Sequence, residues 1–481
     1  MWIILYLCRR FSLNNNSEHD KMNTQRTTLL ALLLTMCLGM SHAFKTQGNG
    51  TAYTFKTLSQ TEGSGVTQVD DHTFVVADDV TIAEGDKFTL KEDYAAGMTV
   101  RFGDKVTLTF EGETVLYPPV EEMVTFTRDK EDDTPYGIKL TGGNMESSVS
   151  VADIRFEYLG LMNYSQSTVN IDRCEFYYHN GAQSGALFLA STTALTTVSD
   201  CTFSLCSKAA IGGAANYSCS LWVYNSIFRQ NSQNNQNIPQ LNLTAASNIN
   251  IDGCTIEGDP SKNMVGGIGV SNFVGLTDTW LQVVGCKITD NRYGIGTVGP
   301  IDNVRIAQNT LVDNCHESNP MNGGSGISLY DPYQQTKAII SGNHIEGSLW
   351  GVTIIGCKDV NLGQPGDIYA ESPGGNVFKN NGNGGQLYDL YNNSTLTVYA
   401  QNNTWNVAEQ TQEQIETVVF HKADNDKLGE VIYWPAAADT GIGQQPTANS
   451  QQSTAIYSLD GIRRTAPRKG LNIVHGQKVV Y

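Results

Sequence analysis

The feature that most constrains this chain is a short motif that returns every 20 to 34 residues. It reads VNIDRCEF at 169–176, TTVSDCTF at 196–203, INIDGCTI at 249–256 and LQVVGCKI at 281–288. Anchored on the cysteine, the column runs Ile154, Cys174, Cys201, Ser226, Cys254, Cys286, Asn309, Asn343, Asn376 and Asn403. Five and three residues before the anchor the chain is apolar, as in Val169 and Ile171, Leu281 and Val283, or Val304 and Ile306. Two residues after it stand Phe156, Phe176, Phe203, Phe228, Ile256, Ile288, Leu311, Ile345, Phe378 and Trp405. Apolar and polar residues alternate up to the anchor, which is strand periodicity. The phase then shifts across the preceding residue, which is Asp153, Asp200, Asn225, Gly253, Gly285, Gly342, Gly375 or Asn402. These residue types tolerate the left-handed conformation of a sharp bend. The rung before Asn376 breaks the pattern with Glu371 and Pro373, which marks an insertion.

Each repeat is therefore strand, bend, strand and variable loop, and a further strand follows the loop, as in 266–270, 293–298, 325–330 and 350–355. Units this small cannot bury a core singly, so they must stack as coils about 4.8 Å apart. The pattern resembles a right-handed, single-stranded parallel β-helix of the pectin-lyase-like type. That resemblance implies an all-β solenoid over 44–440, with opening coils at 74–112. It also implies a capping amphipathic helix within 402–435, with Ile415, Val418 and Val419 as its buried stripe. A β-propeller is the runner-up, but it needs four strands per repeat and a more regular period.

The repeated cysteines fit a ladder, because Cys, Ser and Asn all suit a small half-polar slot inside a bend. A metal cage would not accept Ile154 and Ser226 in the same column. Disulfides are disfavoured because parallel stacking points neighbouring Cβ atoms the same way. Buried thiols are expected.

The ends carry addresses. KMNTQR (21–26), an apolar run (27–40) and SHA (41–43) read as a signal peptide, with Met22 as the start and the preceding residues over-called. The run is too short for a membrane span. Cys37 is a poor lipoprotein site, since Thr35 and Met36 precede it. A polar linker at 441–453 leads to 454–481, read as a small C-terminal β appendage with turns at Asp460-Gly461 and His475-Gly476. Through Ile456, Tyr457, Leu459, Gly461, Arg463, Lys469, Gly470, Gly476, Lys478 and Val479 this segment resembles the sorting domain of type IX secretion. Asn472 and the terminal Tyr481 depart from that pattern. The resemblance implies passage through the periplasm to the outer surface or the medium, with the type IX machinery as partner.

A formal charge of −17 excludes the basic surface that nucleic acid requires. Enzymes of the resembled fold act on polysaccharides, through paired carboxylates or a base beside a neutralised carboxylate. The outward column of the strand after the loop is expected to be Asn242, Gly269, Gly296, Ser328, Thr353 and Tyr388, with no acid or base. Lys287, Asp290, Arg292 and Arg305 are the only catalytic candidates, if they converge on one side. Tyr330, Asp331, Tyr333, Trp350, Tyr388 and Tyr391 recur on late coils and suit sugar rings. The acidic run 128–137 reads as a solvated loop, and 424–429 fails as a calcium loop at Leu428 and Pro435. No cofactor or metal is expected, and calcium has no supporting motif. Two readings stay open: a surface β-helix that binds glycans or acts as an adhesive or structural element, and a polysaccharide lyase or glycosidase.

Deleting 454–481 is expected to leave the β-helix folded and to retain the protein in the periplasm of its host. Normal surface delivery of the truncated chain, read by accessibility to added protease, would refute a sorting role.

Overall fold

The computed structural model describes residues 43–437 apart from 93, 145, 191, 214–218 and 365–371, together with the backbone of four short strands within 456–480. The expected leader up to residue 42 and the linker lie outside them, as do Asp460-Gly461 and His475-Gly476. A typical coil lays one strand in each of three parallel sheets, here A, B and C. In one coil these are Ile268–Ser271, Trp280–Val284 and Lys287–Thr289; in the next, Ile295–Val298, Asn303–Ala307 and Thr310–Val312. Register is kept, so Leu281 faces Val304 and Ile288 faces Leu311. This is a single-stranded parallel β-helix. The chain forms two compact units, one running through residue 222 with 231–234, the other comprising 223–230 and 235 onward.

The first unit opens with a helix the sequence did not announce, Phe55–Ser59, capped reciprocally by Thr54 and Thr57. Its Phe55 ring sits 5.7 Å from Phe74, 5.2 Å from Phe88 and 6.0 Å from Phe126. Further along, Phe156, Phe176 and Phe203 stack ring on ring at 4.6 and 4.5 Å. The column two after the anchor is thus an aromatic core.

In the second unit the same column continues as Phe228, Ile256, Ile288, Leu311, Ile345 and Phe378, all buried, and ends on Trp405 stacked against Phe378 at 5.1 Å. The coil before Asn376 takes its sheet B strand from Asp359–Gly363, and its pairing to the next coil shifts register at Asn361/Gly363. The closing helix is only Gln412–Glu416. Ile415, Val418 and Val419 are all buried, but only Ile415 belongs to the helix, and Val419 lies in the strand Val419–Phe420. The expected helical stripe is therefore a turn of helix running into a last strand. Separately, Ile456–Ser458 pairs antiparallel with Arg463–Arg464 and Leu471–Val474, and the latter pairs with Gln477–Val480.

Between sheets B and C the residue before the anchor has positive φ in every repeat named above, from 47° at Asn225 to 76° at Gly375. Arg173 and Gln308 adopt the same conformation, at 49° and 58°. The anchor side chains then line up. The backbone N–H of Asn309 donates to Asn343 Oδ1 at 3.0 Å, Asn343 to Asn376 at 3.1 Å, and Asn376 to Asn403 at 2.8 Å. Each amide nitrogen donates to the next Oδ1 at 2.9 Å and also to a strand carbonyl. Cysteine does the same less completely: the Cys174 N–H reaches Cys201 Sγ at 3.3 Å, and that column stands as buried thiols, not disulfides. A second ladder, unmarked in the sequence, follows sheet C. There Asn291 N–H donates to Asn314 Oδ1 at 3.2 Å, and Ser348 N–H to Asn381 Oδ1 at 3.1 Å.

Asn343→Ala is expected to orphan buried donors and acceptors on both neighbouring coils and to lower stability by roughly 2–4 kcal/mol, allowing 1–3 kcal/mol for each stranded group. Denaturant unfolding measures it, and a loss under about 0.5 kcal/mol would mean that water replaces the amide.

Candidate functional site

Sheet A of the second unit, the face with an outward column expected to hold no acid or base, is partly covered by overlying side chains. Its outward column is Asn242, Gly269, Gly296, Ser328 and Thr353, but the register continues to Tyr391 and Phe420, not to Tyr388. The glycines make room for overlying side chains. A Cβ at Gly266 would meet the Tyr293 ring at 2.2 Å, and one at Gly269 would meet Pro239 at 2.7 Å. Small residues here accommodate Tyr293 and Pro239, which cover the outward face at Gly266 and Gly269.

On the last coils, Trp350 stacks on Tyr388 at 5.3 Å and 6°, and Tyr391 on Phe420 at 4.5 Å and 9°. Trp350 also meets Tyr391 edge to face at 4.8 Å, and its indole N–H donates to the Pro320 carbonyl at 2.9 Å. All four rings are half-buried. One face of each is already used by a neighbour, which is how a coil edge is filled. Tyr330 and Tyr333 are exposed. Asp331 is buried, and its carboxylate accepts the backbone N–H groups of Tyr333, Gln335 and Thr336 at 3.0, 2.8 and 2.7 Å. It organises its turn and has little left for a ligand.

The catalytic candidates do not converge. Lys287 lies on sheet C and Arg305 on sheet B. Asp290 sits in the bend after sheet C, with His316 Nε2 3.5 Å away. Arg292 ties loops together, donating to Asn237 Oδ1 at 2.6 Å and to the Asn322 carbonyl. Among the described residues no three His, Cys, Asp or Glu side chains gather into a metal-holding group.

A concave surface lies on the outward face of sheet B. A cleft of about 530 Å³ is lined there by Trp280, Gln282, Asn303, Arg305, Lys337, Ile339, Asp359, Asn361, Gln364 and Tyr399 among others. Register builds its floor: Asn250, Gln282, Arg305, Ile339, Asn361 and Tyr399 follow one another on successive coils. Beside them runs Trp280, Asn303, Lys337 and Asp359. From Gln282 to Tyr399 the floor spans four coil steps, roughly 19 Å. Its amides are pre-set, with Gln282 Nε2 donating to Asn250 Oδ1 at 3.0 Å and Asn250 Nδ2 to the Tyr224 hydroxyl at 3.2 Å. A smaller hollow of about 300 Å³ adjoins Asn303 and Lys337 and is lined also by Asp302, Gln334, Gln335 and Lys358. The sequence carried this site unread: Asn250, Gln282, Arg305, Ile339 and Tyr399 stand four before the anchor, between the two apolar columns.

A family profile described as "Right handed beta helix region" matches residues 136–311, which also gives the hand of the coil. No curated protein matches the sequence. Among solved structures, a double mutant of the periplasmic alginate epimerase AlgG is 13% identical and covers 76% of this chain and 74% of its own, with a TM-score of 0.36. AlgG itself is 11% identical, covering 81% and 80%, with the same score.

Burial, partly offset by donors from Asn406 N–H and the Asn381 amide, pushes the Asp389 carboxyl up to about 7. The folded protein then holds a proton between pH 4 and 7 that the unfolded chain has released. Stability from this group is greatest below pH 4 and declines as pH rises to 7, by roughly 4 kcal/mol in all. Asp389→Asn is expected to flatten that part of the profile in pH-dependent denaturant melts. An unchanged slope would mean that the carboxyl is ionised in the fold.

Proposed function

We propose that this is an exported β-helix protein whose second unit binds an extended polysaccharide in the cleft on sheet B. The single observation that carries the reading is the register-built floor, which sets amides, a cation, an aliphatic side chain and an aromatic ring on consecutive coils. Sugar chains present hydroxyls and weakly apolar ring faces in alternation, and such a floor answers both. Amides supply paired donors and acceptors. Trp280 and Tyr399 supply ring faces toward either end.

Export is supported by the leader-like start and the sorting-like segment at 454–481. No helix among the described residues is long and apolar enough to cross a membrane. Cleavage draws less support than binding. Asp302 Oδ2 already accepts the Thr279 N–H and hydroxyl at 2.9 and 3.0 Å, and the four catalytic candidates stand apart.

Trp280→Ala and Tyr399→Ala are each expected to weaken polysaccharide binding by about 1–3 kcal/mol, on the scale of ring stacking on planar bases, with little change in melting temperature. Trp350→Ala should do the reverse, costing stability and leaving binding intact. Affinity electrophoresis beside thermal melts reads both. Loss of binding in Trp350→Ala alone would move the site to sheet A.

A further inference from the structure

We infer that the C-terminal sheet docks on the last coil of its own β-helix, the coil from which it is tethered. The strands Ile456–Ser458, Arg463–Arg464, Leu471–Val474 and Gln477–Val480 form one sheet by themselves. Register sets Tyr457 opposite Arg463 and Ile473, Ile473 opposite Lys478, and Leu471 opposite Val480. Strand alternation then places Tyr457, Leu471, Ile473 and Val480 on one face, with Arg463 and Lys478 among them. An apolar sheet face has to be buried against another element. The segment 454–481 is too short to supply that second layer, and it holds no cysteine for a disulfide to take its place.

The last coil, which belongs to the same compact unit, offers a matching surface. Val419–Phe420 and Val431–Ile432 are the final strands of sheets A and B, and Trp434 follows them with 45% of its surface exposed. Charge is complementary. Residues 402–435 carry six acids against Lys422 and Lys427, a net −4, and Glu409, Glu413, Asp424, Asp426 and Glu430 are exposed. Residues 454–481 carry Arg463, Arg464, Arg468, Lys469 and Lys478 against Asp460, a net +4. The tether makes even a weak contact sufficient. Residues 438–455 form a polar chain with a root-mean-square span of roughly 23 Å, which keeps the sheet beside the coil. At an effective concentration of about 1 mM, a contact with a Kd of about 0.1 mM is closed roughly ten times as often as it is open.

The inference does not rest on the polysaccharide reading, and its test involves no sugar. In the full chain at low micromolar concentration, trypsin is expected to cut after Arg463, Arg464 and Lys478 about tenfold more slowly than in the variant Asp426→Lys, Glu430→Lys, Trp434→Ala, because cleavage follows the open fraction. All three substituted side chains are exposed, and an unchanged melt shows that the variant keeps its fold. In the unsubstituted chain, a carbodiimide is expected to couple Lys469 or Lys478 to an acid of 409–430 within one molecule. Salt at about 0.5 M should weaken both the coupling and the protection. Equal cleavage of the two chains overturns the inference. Protection that grows with protein concentration also overturns it, since a second copy would then be the occupant. Coupling only to carboxylates outside 402–435 does the same, since the sheet would then be docked elsewhere.

Discussion

The structure depends on one arrangement: a single left-handed residue that turns the chain between sheets, followed by a side chain that satisfies the backbone the turn exposes. A bend that tight breaks the sheet ladder and leaves a buried N–H and a strand carbonyl with no strand partner. An unmade hydrogen bond inside the coil would cost about 1–3 kcal/mol per group, repeated on every turn. Asparagine answers both at once, since Oδ1 takes the N–H of the coil before and Nδ2 gives to a carbonyl, as at Asn343. Cysteine answers weakly, with Sγ as a poor acceptor at Cys201. It is buried there as a small apolar group.

That arrangement also explains which parts of the molecule were legible beforehand. The apolar columns and first bend could be read because the same chemistry recurs at a fixed offset from the anchor. The second ladder could not. Its slots hold His179, Cys206, Asn231, Asn291, Asn314, Ser348 and Asn381, and the left-handed residues before them include Tyr178, Leu205 and Gln230, which carry no bend signature. The proposed binding face was hidden differently. The residues four before the anchor were in plain view, but their chemistry varies from coil to coil, and variation in an outward column is what a ligand-reading surface needs. Sheet A misled for a third reason. Its glycines looked like an open face, whereas they are the imprint of Tyr293, a loop residue whose position no periodicity reveals.

The tight bend has a further consequence for where a long ligand can lie. In most coils sheet B is joined to sheet C through a single left-handed residue; the coil with 364–376 between Asp359–Gly363 and Val377–Lys379 is the exception. Sheet A receives the variable loops, and in the second unit these bring Pro239 and Tyr293 across it. Concave surface is left on sheet B, with longer connections such as Pro332–Thr336 on one border and Gln364 on the other.

Rigidity then sets the energetics. A polysaccharide loses torsional freedom when it is held straight, and a floor of mobile side chains would add its own ordering cost. Here the floor is already ordered. Backbones are fixed by parallel pairing on both sides, and Gln282, Asn250 and Tyr224 hold one another by hydrogen bonds before any ligand arrives. On the proposed reading each coil would contribute a modest contact at little entropic expense, and consecutive coils would add along one chain. A first contact would fix the proposed sugar chain beside the next coil, so affinity should grow with ligand length until the roughly 19 Å floor is filled.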